Sequence, residues 1–295
     1  MSFEFKKRES LKKGLTRIAA EEADDAIARL KKRGGDRIET VHEVRKSIKK
    51  LRALLRLVRG AIGKKSYRLV NDALRDIGRQ LSDARDAQIL IEALEKLSAT
   101  GSVEAKAAVA AIRKTLEAQR DGINAMLSAK GVFKSLVAKL EIAKENSRDW
   151  AGAAAGWADV ESGLRDAYTR GRDAFETATR RPTFENFHDW RKRAKDLHYQ
   201  VRMLQPLWPE ALEKLSDDTG RLGELLGEDH DFGLLARLLK SGPARGVGAR
   251  QSGLRKAIER RGAELRGEAR KLGETVYADK PRAFIRRIAA LWDAW

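Results

Sequence analysis

The residues of this chain that could do chemistry are two histidines, each heading an ordered run of cations. The segment His42-Glu43-Val44-Arg45-Lys46-Ser47-Ile48-Lys49-Lys50-Leu51-Arg52 runs on through Arg56. It returns as His188-Asp189-Trp190-Arg191-Lys192-Arg193-Ala194-Lys195-Asp196-Leu197-His198, running on through Arg202. From 42 to 188 the offset is 146 residues, about half the chain. Lys and Arg donate hydrogen bonds and accept none, and a protonated histidine does the same. The chemistry such a set supports is capture of an anion.

On a helical wheel, at about 100° per residue, each copy sorts into two faces. His42, Arg45, Lys46, Lys49, Arg52 and Arg56 share one stripe, and Val44, Ile48, Leu51, Leu55 and Val58 the opposite one. His188, Arg191, Lys192, Lys195, His198 and Arg202 share a face opposite Trp190, Ala194, Leu197, Val201 and Leu204. Ordinary solvated helices mix signs, because opposite charges at i,i+4 attract and like charges repel. Between His42 and Arg59 stand seven Lys or Arg and one acid, Glu43, and neither stripe holds a carboxylate. Accepting that repulsion twice, in register, implies a bound polyanion.

Composition agrees. A net charge of +18 points to nucleic acid, an anionic membrane or phosphate chains as partner. The absence of cysteine excludes disulfides, thiolate catalysis and Cys-bound metals. Met1–Arg8 lacks the apolar core of a signal peptide, and no run of about 18 apolar residues could span a bilayer. A cytoplasmic protein without a membrane partner is expected.

Catalysis is not expected. The basic stripes carry no clustered carboxylates for a metal, and the chain has no phosphate-binding Gly-x-x-x-x-Gly-Lys-[Ser/Thr] loop and no His-Glu-x-x-His. Asp86 and Asp231 read as structural pairs or caps. No cofactor, metal ligand or catalytic residue is assigned. Single-stranded nucleic acid needs aromatics among the cations to stack bases. Aromatics are 6% of the chain, and Tyr199 alone stands on a basic stripe. Binding of a nucleic-acid backbone stays open as the alternative.

The elements that must position these faces are helices. Five prolines in 295 residues, and no bounded period-two alternation, predict an all-α protein. The pattern predicts helices at about 4–33, 38–60, 64–98, 103–129, 131–146, 158–181, 184–205, 208–240, 247–273 and 281–294. Breaks fall at Gly34-Gly35, Gly60, Gly63, Thr100-Gly101, Arg181-Pro182, Pro206, Pro209 and Ser241-Gly242-Pro243. Thr183 is a predicted cap for the second histidine helix. One domain over 1–295 is expected, with a first half at 1–146, an Ala/Gly-rich linker at 147–156 and a second half at 157–295.

The repeat runs further. Leu81-Ser82-Asp83-Ala84-Arg85-Asp86-Ala87-Gln88-Ile89-Leu90 is echoed, one residue out of register, by Leu226-Gly227-Glu228-Asp229-His230-Asp231-Phe232-Gly233-Leu234-Leu235. Upstream, Arg68 matches Lys214 and Arg75 matches Arg221, while Arg68, Arg75 and Arg79 are spaced along one face. Each half reads as a four-helix unit, the two related by a pseudo-twofold axis with their basic stripes meeting at the centre.

These paired motifs resemble the CHAD domain, the conserved histidine α-helical domain, from about residue 8 to 294. The resemblance implies two four-helix bundles around a basic cavity, non-enzymatic binding of inorganic polyphosphate, and association with polyphosphate granules. It implies His42 and His188 as ligand-facing histidines, followed by Arg45, Lys46, Lys49, Arg52 and Arg56, and by Arg191, Lys192, Lys195 and Arg202. It departs from the family pattern at His198 and at His230, where arginine is more usual; a pH-dependent contact is expected at His198. Arg68, Arg75, Arg79, Lys214 and Arg221 complete the expected polyphosphate-binding set.

Overall fold

The computed structural model describes residues 3–6, 8–32, 36–98, 103–129, 131–154, 156–241 and 248–293. Among them the chain is helical, with no strand. The helices are α1 (Leu11–Lys31), α2 (Arg37–Leu57), α3 (Arg59–Gln80), α4 (Ser82–Ser98), α5 (Val103–Ala129) and α6 (Val132–Ala151). They continue as α7 (Trp157–Arg180), α8 (Phe184–Leu204), α9 (Pro209–Ser241), α10 (Gly248–Val276) and α11 (Pro281–Asp293). One 3-10 turn, Gln205–Leu207, joins α8 to α9. The breaks expected at Gly34-Gly35, Thr100-Gly101 and Gly242-Pro243 lie outside the described residues.

The helices start where the caps dictate. Asp36 accepts the Ile38 backbone N–H at 2.8 Å and starts α2. Thr183 accepts that of Asn186 at 3.2 Å and starts α8, as its sequence predicts. α2 and α8 then bury the stripes opposite their cations. Val44, Ile48, Leu51 and Leu55 are buried on α2, and Trp190, Ala194, Leu197 and Val201 on α8. Burying a residue of this size contributes about 1.5–3 kcal/mol, so these faces fix the rotation of both helices and aim the cations away from the core.

Two closed rings of four helices result. In the first half α1 packs on α2, α2 on α3, α3 on α6 and α6 on α1; in the second α7, α8, α9 and α10 close the same way. The α4–α5 pair reaches across to α9 and α10, and α2 lies against both α7 and α8. Gly163 of α7 carries the closest crossing. A Cβ there would stand 2.0 Å from the Leu57 carbonyl oxygen, a backbone atom that cannot swing aside. Gly163→Ala should therefore cost about 2–3 kcal/mol by forcing the halves apart. At this chain length that is a fall in melting temperature of roughly 3–5 °C. An unchanged thermal midpoint would show that the crossing is not tight.

Three boundaries differ from the sequence prediction. The first helix begins at Leu11, not near residue 4. Phe3 and Phe5 are buried, the Phe5 N–H bonds the Met203 carbonyl at 3.1 Å, and Phe3 meets Tyr199 edge-on. The N-terminal segment is thus held against α8, across the halves. The expected helix 64–98 is two elements. The expected break at Gly63 is present, at φ 72° five residues into α3, and the chain breaks again at Leu81. Arg45 takes up the loosened end, donating at 2.7 Å to both the Gly78 carbonyl and Ser82 Oγ. Finally, α6 runs on to Ala151, because Ser147, Trp150 and Ala151 are buried. Half of the segment expected as a linker is helix.

Candidate functional site

A cavity of about 550 Å³ lies where α2, α4, α8 and α9 meet. α2 lines it with His42, Arg45, Lys46 and Lys49, and α4 with Arg85, Asp86 and Ile89. α8 contributes His188, Arg191, Lys195 and Tyr199, and α9 contributes His230, Asp231 and Leu234. Most of the wall comes in pairs. His42 answers His188, Arg45 answers Arg191, and Lys49 answers Lys195, at an offset of 146. Arg85, Asp86 and Ile89 answer His230, Asp231 and Leu234 at 145. The matched walls enclose one chamber, with six Lys or Arg facing two carboxylates.

Local packing aims these side chains. Glycines at 220, 223 and 227 form a trough on α9 in which the α8 cations lie. A Cβ at Gly223 would stand 2.9 Å from Lys195 Cε, and one at Gly227 3.7 Å from Arg191 Nε. Arg85 is steadied by Glu92, to which it donates at 3.0 and 3.2 Å. His188 and His230 stack at 4.2 Å between ring centroids. Phe184 stacks on His230, and Arg237 sits 3.9 Å over the Phe184 ring. Arg191 Nε, His188 Nδ1, His230 Nδ1 and Asp231 Oδ1 are buried without a hydrogen-bond partner. Orphaned polar atoms on a cavity wall are groups that an entering ligand can satisfy.

Crowded like charge shows in the acidities. Burial first, then Lys192 and Arg191, push His188 down to about 4. Burial, then Arg191 and the neighbouring His188, push His230 down to about 3. His42 is lowered too, by burial and Arg85. Depth in the fold, then Arg191, Arg45, Lys195 and Arg85, lower the Lys49 ammonium to about 7. The Lys49 side chain is nevertheless exposed to the cavity's water. Water offsets part of the first cause and leaves the four cations as the lasting one. Burial outweighs Arg191 and Arg85 at Asp231 and raises its carboxyl to about 6. The free site therefore holds its imidazoles neutral at pH 7.

The cavity gathers seven of the expected site residues: His42, Arg45, Lys46, Lys49, His188, Arg191 and Lys195. Ten lie elsewhere. Arg52 donates to Asn71 at 3.1 Å, and Arg56 pairs with Asp196 at 2.9 Å across the α2–α8 crossing. His198 turns away toward α9, its Nδ1 3.3 Å from the Ser216 carbonyl and from Thr219 Oγ1, and does not line the chamber. Lys192 is exposed outside the lining, and Arg202 lies 3.5 Å from Glu4. α3 buries Leu74 and Ile77, which turns Arg68, Arg75 and Arg79 out to solvent. Arg75 is 3.1 Å from Asp72 and Arg79 is 3.9 Å from Asp76. Lys214 pairs with Asp218, and Arg221 with Glu224 and Glu268. Conversely, Arg85, His230, Asp86 and Asp231 line the chamber and were not in the expected set. Their recurrence at an offset of 145 was the signal for them.

The fold is that of an all-helical domain, with a cavity lined by cations from both halves. Residues 11–240 match the CHAD domain, and the chain belongs to that family. The crystal structure of the CHAD domain from the plant Ricinus communis superposes on it with a TM-score of 0.65. That match has 17% identity and covers 95% of this chain and 96% of the other. It establishes the shared fold. No curated protein matches the chain.

Proposed function

We propose that this protein binds inorganic polyphosphate in the central cavity without catalysing a reaction, and that this binding places it on polyphosphate granules in the cytoplasm. The observation that carries the reading is the single chamber with matched cationic walls and unpartnered donors. A phosphate chain offers charged acceptor oxygens along its whole length and no base or ring. Charge-assisted hydrogen bonds to it would satisfy Arg191 Nε and the imidazoles and relieve the like-charge repulsion. Family membership supports the reading.

A nucleic-acid duplex suits the site less well. It is a stiff rod with phosphates outside, and a chamber of about 550 Å³ cannot admit it. Titration calorimetry with long-chain polyphosphate, repeated from 50 to 300 mM salt, tests the proposal. Six cations releasing counterions predict a log–log slope of about −4. A slope near −1, or displacement by duplex DNA at equal phosphate concentration, would transfer the function to an outer surface.

A further inference from the structure

We propose that Lys49 is a covalent modification site, acylated by small acyl phosphates that the cavity captures. Lys49 makes no hydrogen bond or ion pair among the described residues. Its side chain is solvent-exposed, so a small reagent can reach it. Arg45, Arg85, Arg191 and Lys195 surround it and would draw in a phosphate group. An acyl phosphate carries its own electrophile on that anion, and the chamber has room for it. The electrophile is therefore delivered by the same charges that make the amine nucleophilic.

The step balances without any co-reactant. The Nζ lone pair attacks the acyl carbon and forms the C–N bond. The C–O bond to phosphate breaks, and phosphate leaves with that electron pair. The amine's proton leaves with the phosphate, directly or by way of the Asp231 or Asp86 carboxylates on the same wall. Amine and acyl phosphate become amide and hydrogen phosphate. A cation on the α2 wall is lost, so acylation would lower the cavity's affinity for any polyanion.

The size of the effect follows from the acidity. With the ammonium lowered the whole way to about 7, the free amine at pH 7.5 would be about 600-fold more abundant than on an ordinary lysine at 10.4, an upper bound because water reaching Lys49 offsets part of the shift. A Brønsted slope like that of thiols returns about 30-fold of this as weaker intrinsic nucleophilicity, leaving roughly a 20-fold excess in rate.

The proposal goes beyond the polyphosphate reading and shares only its cavity. The test treats the full chain with acetyl phosphate at pH 7.5 and follows each lysine by mass spectrometry. Lys49 should acetylate several-fold faster than exposed lysines such as Lys64 and Lys65, with about 20-fold as the upper bound. Lys195→Gln should slow Lys49 acetylation by acetyl phosphate more than by uncharged acetic anhydride, because it weakens phosphate capture. A Lys49 rate equal to those of Lys64 and Lys65 overturns the proposal, whatever calorimetry finds for polyphosphate. An equal slowing with both reagents overturns the capture step. If Lys49 is fast and polyphosphate fails to protect it, the modification site stands and the polyphosphate reading falls.

Discussion

Reversing two charges on one wall of the cavity, Arg191→Glu with Lys195→Glu, should lower polyphosphate affinity by at least two to four orders of magnitude. Each charge-assisted contact contributes roughly 1.5–3 kcal/mol, and about 1.4 kcal/mol is a factor of ten. Reversal adds repulsion to the loss. A charge reversal on the other wall, Lys46→Glu with Lys49→Glu, should have the same effect if one ligand touches both, as proposed. Wheel geometry alone would select Arg45→Glu with Lys49→Glu, with little effect on stability. The structure rules out Arg45 as a clean probe, since it holds the Gly78 carbonyl and Ser82 at the α3–α4 break. Losing it adds a folding cost of about 1–3 kcal/mol for the stranded groups. Lys46 and Lys49 carry no such bond to a helix end. A double variant that binds half as many ligands at unchanged affinity would mean two independent sites.

Binding strengthens as pH falls. The free cavity disfavours protons at Lys49, His42, His188 and His230, and an incoming polyanion favours them at each. It also favours protonated Asp231, whose carboxyl already titrates near 6. Every site thus takes up protons on binding, and by linkage the association constant rises as pH drops. An uptake of one to two protons predicts a gain of about 10- to 100-fold per unit of pH where those protons are taken up. The window runs from about 8 down through 6 for Lys49 and Asp231, and lower for the histidines. Calorimetry in two buffers of different ionisation enthalpy counts the protons directly. Zero uptake between pH 8 and 6 would contradict the crowded-cation description. The free protein behaves oppositely. His188 and His230 titrate below the unfolded value of about 6.5, so the unfolded chain binds more protons and stability falls as pH drops from 6.5 toward 4. Asp231 works the other way between about 4 and 6, because its folded value is the higher one. All four histidines are lowered, against raised carboxyls at Asp196, Asp229 and Asp231, so a net loss of free-protein stability is expected in acid, which bound polyphosphate should offset.

Much of this was legible in the sequence because it rests on periodicity. The apolar stripes of α2 and α8 set the direction of the cations, and the offset of 146 paired His42 with His188 and Lys49 with Lys195. What the sequence hid depends on contacts between distant segments. Nothing local tells that Phe3 and Phe5 leave the helical path to reach Met203 and Tyr199. Nor does local sequence separate the Arg56 that pairs with Asp196 from the Lys49 that stays bare, since both occupy one stripe. The placement of the outer arginines of α3 was hidden for a related reason. Asp72 and Asp76 sit within a turn of Arg75 and Arg79, and only the burial of Leu74 and Ile77 shows which way that face turns. His198 reads as a cavity histidine by register, yet the missing side chain at Gly220 gives it a closer berth on α9.

A crystal structure with a short linear polyphosphate bound places the ligand most directly. The phosphates are expected within hydrogen-bond reach of Lys49 and His42 on one side and of Arg191, Lys195 and His188 on the other, all in the one chamber. Phosphates found instead along Arg68, Arg75 and Arg79 on the outer face of α3, with the chamber holding only water, would contradict it.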